Sequence, residues 1–248
     1  MPSYTSVNVD NPVNGTNYGV APAVLNGGQD YIFPWICTAR SMEALNDGVI
    51  APAAKQAART ATTCYMRGLK EKIQIQTSSG VPWQWRRVCF TTKSQDIVAA
   101  ETSNHRLAAL TSSGWMRVVN NIVGTELASE IVDPLFRGSL QSDWQGDVMN
   151  AQLDTTRVSV RYDKTFIIQS GNQSGVMRNF NFWHGMNKNL IYNDEEAGGN
   201  VQDDYYSTQA KPGMGDYYVV DFIRAGTGAV SNDHLQFNPA ATLYWHEK

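Results

Sequence analysis

The chain has 248 residues, of which 42% are hydrophobic and 17% are charged, and its formal net charge is −3. This length suits one large domain or two small ones, and the hydrophobic fraction is enough to bury a sizeable core. No run of eighteen apolar residues occurs, and the first residues lack the basic and apolar regions of a secretory signal. We therefore expect neither a membrane span nor a signal peptide.

Positive charge is concentrated in one part of the chain. From Cys37 to Lys93, nine basic residues stand against three acidic ones, which leaves +6 in this segment and −9 on the remainder. A basic segment on an acidic chain is typical of a face that meets phosphate groups. A solvated face that is balanced by acidic neighbours in the fold would give the same pattern.

The first third of the chain predicts a polar segment followed by strands. Residues 1–29 are rich in Asn, Gly, Pro and Thr and predict an extended, irregular N-terminal segment. Tyr31–Ala39 is apolar and contains a proline, which predicts a bent or edge strand. Ala51–Arg59 predicts a short helix. Thr62–Thr77 and Trp83–Thr92 predict two strands of a hairpin, because a Gly/Pro turn joins them.

The remainder also predicts strands more often than helices. A second short helix is expected over Gln95–Ala100, and a tight turn at Asp163-Lys164 separates two short strands. Asp194–Gly215 is polar, acidic and rich in glycine, which is typical of a long surface loop. The further predicted strands are Arg157–Tyr162, Thr165–Gln169, Val176–Leu190, Asp216–Ile223 and Ala241–Trp245.

These eight or nine strands, with long connections and no sustained helical period, predict an all-β fold. We expect a single jelly-roll antiparallel β-sandwich with long loops and one or two short helices. The expected organisation is an extended N-terminal segment over residues 1–29 and one jelly-roll domain over residues 30–248.

No residue pattern predicts a metal site or a cofactor. Cys37, Cys64 and Cys89 are widely spaced and lie in apolar or strand-like segments, so we expect buried, reduced thiols. The four histidines have no ligand spacing, and the motifs of zinc proteases, serine hydrolases and P-loop nucleotidases are not found in the sequence. We therefore expect no catalytic residue, no metal ion and no cofactor.

Two other interpretations remain open at this point. Paired acids on a β-sandwich could form a glycosidase site, but the acidic residues lie in polar segments that would not raise the pKa of one acid, so solvated loops are favoured. Exposed aromatic residues could form a sugar-binding platform, but aromatic residues on alternating strands more often fill a core or a subunit interface. The acids are Asp143, Asp147, Asp154, Asp194, Glu195, Glu196, Asp203 and Asp204, and the aromatic residues are Trp83, Trp85, Tyr217, Tyr218 and Trp245.

Two neighbouring segments are the most distinctive part of the chain. They are Cys64–Thr77 (CYMRGLKEKIQIQT) and Gly80–Phe90 (GVPWQWRRVCF). Both resemble genomovirus capsid proteins, which carry a Tyr/Phe-Met-Arg-Gly-Leu-Lys-Glu element followed by a Gly-x-Pro-Trp-x-Trp-Arg-Arg-hydrophobic-Cys-Phe element. The clear similarity covers Thr60 to Phe90, and the remainder agrees in length and in β content.

The resemblance implies a viral coat protein and not an enzyme. A homo-oligomer of about sixty copies would form a small icosahedral shell around a circular single-stranded DNA genome. The implied location is the virion, with assembly in the host nucleus and no membrane partner. The alternative function is a lectin-like, carbohydrate-binding β-sandwich module.

One feature departs from the family pattern. Such coat proteins carry an Arg/Lys-rich N-terminal arm that binds the genome and serves as a nuclear signal, whereas residues 1–36 contain no Lys or Arg. Either a basic arm precedes Met1 in a longer chain, or the protein has no arm. With an arm, a host receptor or nuclear import factors are further expected partners.

We expect part of the basic segment to meet DNA phosphates, although strand alternation prevents all of its members from facing one way. The predicted nucleic-acid-binding residues are Arg59, Lys70, Lys72, Arg86, Arg87 and Lys93. For Arg67, a structural role between sheets or subunits and a DNA contact are both retained.

Overall fold

A computed structural model describes residues 1–6, 17–42, 57–139, 142–144, 147–198 and 200–247. Its strands and helices confirm the predicted all-β fold. The strands are β1 (Ser3–Ser6), β2 (Tyr18–Val20), β3 (Ala23–Asn26), β4 (Asp30–Ile36), β5 (Thr63–Thr77), β6 (Trp83–Thr92), β7 (Ala109–Thr111), β8 (Gly114–Val119), β9 (Ser159–Ile168), β10 (Met177–Ile191), β11 (Glu195–Ala197), β12 (Asn200–Gln202), β13 (Asp216–Ala225) and β14 (His234–Glu247). The helices are α1 (Gln95–Ala99) and α2 (Glu126–Leu135).

Two four-stranded antiparallel sheets form the centre of the fold. The first sheet has the order β10-β5-β14-β3, and the second sheet has the order β4-β13-β6-β9. Ile73 and Phe237 of the first sheet and Phe33 and Trp85 of the second belong to one buried cluster. The two sheets therefore pack face to face as a β-sandwich.

The second sheet is covered on both faces. Its side that points away from the first sheet packs against α2, where Leu127 and Ile131 share a buried cluster with Val88 and Phe222. As a result, burial along β6 is nearly continuous instead of alternating. The outer face of the first sheet differs, because alternate residues along β5 and β14 are exposed.

Helix α2 was not among the sequence predictions, although its signals are present. The side chain of Thr125 accepts a hydrogen bond from the backbone N–H of Ala128, as an N-cap residue does. Five apolar residues on one side of the helix are buried against the second sheet. The helix ends at Leu135, directly after Pro134.

The prediction that residues 1–29 are irregular is wrong for most of their described part, which forms β1, β2 and β3. Strand β3 pairs with β14 and completes the first sheet, because the apolar side chains of Ala23 and Leu25 fill the space between the sheets. Strand β1 pairs in parallel with β8 and lies in a third sheet of order β2-β1-β8-β7.

Two predicted turns are also corrected. Strands β5 and β6 have the predicted positions, but they belong to different sheets, so residues 78–82 cross between sheets instead of closing a hairpin. Asp163 and Lys164 lie within the continuous strand β9, where they pair with Val88 and Arg87.

The other predictions agree with the structure to different extents. Helix α1 forms where the second short helix was predicted. Most of the first predicted helix, at residues 51–56, lies outside the described residues. Cys37, Cys64 and Cys89 are buried and free, as predicted. No helix of the described ranges is long and apolar enough to cross a membrane.

Candidate nucleic-acid interface

Two of the predicted basic residues lie on the outer face of the first sheet. Side chains along β5 alternate, so that Ile73 and Ile75 are buried between the sheets while Lys70 and Lys72 are exposed on the opposite side. Lys70 lies directly opposite Trp183 of β10. Neither lysine side chain forms an ion pair or a hydrogen bond with another residue in the described part of the chain. Both ammonium groups are therefore available to a ligand.

The charge of this sheet is positive at its surface. Strands β3, β5, β10 and β14 contain two carboxylates in total, Glu71 and Glu247. Glu71 points inward and is fully buried. Glu247 is the last residue of β14, and its side chain accepts hydrogen bonds from the backbone N–H of Thr60 and the indole N–H of Trp245. The lysines therefore have no acidic neighbour at the outward positions of these strands, and the face attracts anions.

A β-bulge at Arg67 shapes one end of the face. Gly68 pairs with Gly185 of β10 and with Tyr244 of β14, and the next paired residue of β5 is Met66. Arg67 is therefore skipped in the pairing with both neighbouring strands. The bulge exposes Arg67, whose Nη1 donates a hydrogen bond of 2.7 Å to Asn187 Oδ1. Arg67 is therefore a surface residue and is not fixed between the two sheets.

Two exposed aromatic rings lie beside this bulge. Trp183 is 56% exposed and Tyr244 is 43% exposed. Their ring centroids are 5.7 Å apart, and the ring planes are inclined by 57°. The indole of Trp183 lies against Gly68, where a Cβ atom would come within 2.7 Å of its Cζ2 atom. Because Gly68 has no side chain, the indole of Trp183 can pack directly against the backbone there.

Tyr244 lines two shallow grooves on this face. One groove of about 440 Å³ is lined in part by Lys70, Lys72 and Thr242. A second groove of about 410 Å³ is lined in part by Arg67 and Trp183. Cations and aromatic rings therefore line neighbouring depressions of one surface.

Arg87, predicted to bind DNA, is instead part of a buried ionic network at the centre of the sandwich. Its Nη1 atom donates to Glu71 Oε2 at 2.6 Å, and its other donors bind Asp221. Arg117 of β8 binds both of these acids, and all four side chains are fully buried. The buried charges balance, and Arg87 is unavailable to nucleic acid, contrary to the prediction.

Arg86 is also in the interior, on the opposite side of the second sheet. It forms two hydrogen bonds with the carboxylate of Asp163, at 2.9 and 2.7 Å, and donates to the carbonyl oxygens of Val148 and Ala151. Arg86 therefore joins the second sheet to the chain segment that covers it, and the predicted phosphate contact is not supported.

Arg59 is fully buried and lies shortly before the start of β5. Two of its nitrogens bind the carboxylate of Asp194 at 2.6 and 2.5 Å, and Nη2 also donates to Asp203 at 2.9 Å. The guanidinium carbon lies 3.8 Å from the ring centre of Tyr192. These contacts hold the acidic loop against the sandwich, so Arg59 does not reach a DNA surface.

Lys93 directly follows β6 and also binds the acidic loop, at residues 210–212. Its ammonium group donates to the carbonyl oxygens of Ala210, Lys211 and Pro212. Partial desolvation lowers its pKa. Its donors are used within the chain, contrary to the predicted role. Of the six predicted residues, the structure places Lys70 and Lys72 together on an open surface.

The aromatic residues considered for a sugar platform are mostly interior. Trp83, Trp85, Tyr217 and Tyr218 are at most 1% exposed, which confirms the packing interpretation for them. Trp245 is half-buried against the core. The sequence did not lead us to predict that Trp183 and Tyr244 are exposed. For Trp183, the alternation of residues along β10 could have shown it. Trp183 shares its parity with Asn179 and Asn181, whereas the even-numbered aromatic residues of this strand point inward.

Most of the acidic residues considered for a glycosidase site have partners of their own in the described ranges. Asp194 and Asp203 bind Arg59, Asp147 binds Arg224, and Asp154 accepts hydrogen bonds from Thr156. No group of three or more His, Cys, Asp or Glu side chains within these ranges could hold a metal ion.

Comparison of the sequence with protein-family models and with curated proteins gives no match. The function must therefore be inferred from the fold, from the two distinctive segments and from the surface of the first sheet.

Proposed function

We propose that this chain is a viral coat protein that self-assembles into a closed icosahedral shell around circular single-stranded DNA, as its resemblance to genomovirus capsid proteins implies. About sixty copies would form the shell, and the virion and the host nucleus are the proposed locations. The observation that carries the proposal is the order of the strands in the two sheets.

The strand order supports a jelly roll. If the eight strands of the two main sheets are renumbered one to eight along the chain, the first sheet has the order 1-8-3-6 and the second has the order 2-7-4-5. This is the order that results when a long antiparallel hairpin folds over into two Greek keys. Viral capsid domains and lectins use this architecture.

The two distinctive segments meet in space, which gives the resemblance a physical basis. Glu71 belongs to the first segment and Arg87 to the second, and their buried ion pair joins one sheet to the other. Gly68 of the first segment accommodates the ring of Trp183. We infer that the two segments occur together because both stabilise the same sandwich.

Enclosing a genome requires cationic surface on the coat. The chain has a net charge of −3, so its positive surface must be local. The outer face of the first sheet is suited to this requirement, because Lys70 and Lys72 have no acidic neighbour at the outward positions of its strands. An upstream basic arm would add to it.

A carbohydrate-binding module is the second candidate, and one observation favours it. Trp183 and Tyr244 are exposed on a sheet face that also presents the amides of Asn179 and Asn181. Rings and amides are typical of sugar recognition, and a jelly roll serves lectins as well. The unpaired lysines on the same face favour a polyanion, because a neutral sugar does not need them.

Electron microscopy and light scattering of the purified protein test the proposal. We expect uniform closed particles in a range of salt and pH, formed either alone or after addition of circular single-stranded DNA. A chain that stays monomeric under all of these conditions, or a monomer that binds glycans on an array, would contradict it.

A further inference from the structure

We propose that Trp183 and Tyr244, together with Arg67, Lys70 and Lys72, form a site for a short stretch of single-stranded DNA in which an unpaired base stacks on Trp183. This inference rests on the proposed function and assigns the outer face of the first sheet to the packaged genome. The two can nevertheless fail separately.

The exposure of Trp183 is the first step of the argument. A large aromatic ring that is 56% exposed on the outer face of the sheet leaves apolar area in water that a ligand could cover. Contact with Gly68 holds the ring against the sheet. Because the ring is already held in place, binding of a flat ligand costs little side-chain entropy.

The second step is the geometry of the ring pair. Tyr244 lies 5.7 Å from Trp183 at an inclination of 57°, so the two rings do not cover each other as a parallel stack would. A nucleobase can stack on one ring and contact the edge of the other. Stacking of bases on aromatic side chains tolerates any sequence, as packaging of a whole genome requires.

The third step is the position of the cations relative to the rings. Along β5, Arg67 lies on one side of Gly68, and Lys70 and Lys72 lie on the other. The ring pair therefore lies between an arginine and two lysines. A strand that places one base on Trp183 can bring phosphates to both sides of it. The two lysines are about 7 Å apart along the strand, a spacing suited to successive phosphates.

The fourth step is the selection of a single strand. A duplex hides the faces of its bases within the stack, so an exposed ring on a flat sheet has nothing to stack on. The neighbouring outward side chains are neutral amides, Gln74, Asn179 and Asn181 among them, which repel neither phosphates nor base edges. We therefore expect a preference for single-stranded DNA over duplex DNA.

Fluorescence anisotropy with a labelled oligodeoxythymidylate measures the site. We expect W183A to bind about five- to a hundredfold more weakly than the unsubstituted protein, and W183F to retain most of the affinity. The double variant K70A/K72A should lower the slope of log affinity against log salt by about 1.4, because two phosphate contacts are lost.

Matched controls come from other surfaces of the protein. K164A removes an exposed lysine from β9 of the second sheet, and Y205A removes a ring that is 41% exposed. Both controls should bind the oligonucleotide like the unsubstituted protein. Circular dichroism of all variants checks that the fold is kept.

Several results would overturn the inference. These are unchanged affinity in a folded W183A variant, equal losses in the controls, equal binding of duplex DNA, or binding of a neutral glycan that W183A abolishes. Particle formation by the unsubstituted protein is scored separately. Particles with Trp183-independent DNA binding would refute the site alone, whereas Trp183-dependent binding by a permanent monomer would refute the coat function alone.

Discussion

Arg87 and Asp221 lie directly opposite each other on β6 and β13, and two hydrogen bonds of 2.7 and 2.8 Å join the guanidinium to the carboxylate. Both side chains are fully buried. Glu71 from the other sheet and Arg117 from β8 complete the network, and the indole of Trp85 also donates to Asp221. The network thus joins three sheets through charges that balance one another.

We expect Arg87→Met to destabilise the protein by about 3–5 kcal/mol, because it leaves Glu71 and Asp221 with too few partners in the interior. Urea denaturation measures the change in the free energy of unfolding. The matched control is Arg224→Met, since Arg224 pairs with Asp147 at 2.9 Å and both side chains are about one-third exposed. Its cost should stay below about 1 kcal/mol. Equal costs for the two variants would contradict the assigned role of the network.

The same network predicts a loss of stability in acid. Burial alone would raise the pKa of Glu71, but the charges of Arg87 and Arg117 and the hydrogen bond with His184 outweigh burial and lower the pKa from 4.5 to about 2. The folded state therefore favours the ionised carboxylate. Its contribution, about 3 kcal/mol, is complete above pH 4.5 and is lost as the pH falls to about 2. In Glu71→Gln this part of the pH dependence should be missing, and a profile as steep as that of the unsubstituted protein would refute the prediction.

Asp216 predicts a pH dependence of opposite sign. Burial raises its pKa from 3.8 to about 6, although hydrogen bonds from Ser207 and Thr38 partly offset this shift. The folded state holds the proton more tightly than the unfolded chain. The free energy of unfolding should therefore fall by up to about 3 kcal/mol as the pH rises from about 4 to 6. Asp216→Asn should remove this fall, which chemical denaturation at several pH values can measure. Persistence of the fall in the variant would assign it to another group.

The thiols offer a simple check of the core. Cys37, Cys64 and Cys89 are buried and free, and burial raises the pKa of Cys64 to about 11. A thiol-specific reagent should therefore react with none of them in the folded protein and with three in denaturant. Rapid reaction of any thiol without denaturant would show that the core is more open than described.

The strands could be predicted from the sequence because local residue preferences determine them. The predicted boundaries of β6 agree with the structure, and those of β5 and β10 differ by one residue. The pairing of strands could not be predicted in the same way. Whether β6 continues the sheet of β5 or crosses to the other sheet depends on contacts with β9 and β13, which lie far away in sequence.

Basic residues were harder to place than strands, and Arg86 and Arg87 illustrate why. Both were predicted to bind DNA, although neighbouring residues of a strand point to opposite faces. The second sheet is instead covered on both sides, and helix α2, which contributes to that cover, was not predicted. Lys70 and Lys72 do share an exposed face, as the alternation along β5 indicates, and their contact with DNA stays a prediction.

Protection of circular single-stranded DNA from nuclease tests the central claim most directly. The purified protein is mixed with the circle, treated with nuclease and separated by sedimentation. We expect the full-length circle to survive in a fast-sedimenting particle of uniform size, while free circle in the same reaction is degraded. Complete digestion of the DNA, with the protein sedimenting as a single chain, would contradict the proposed coat function.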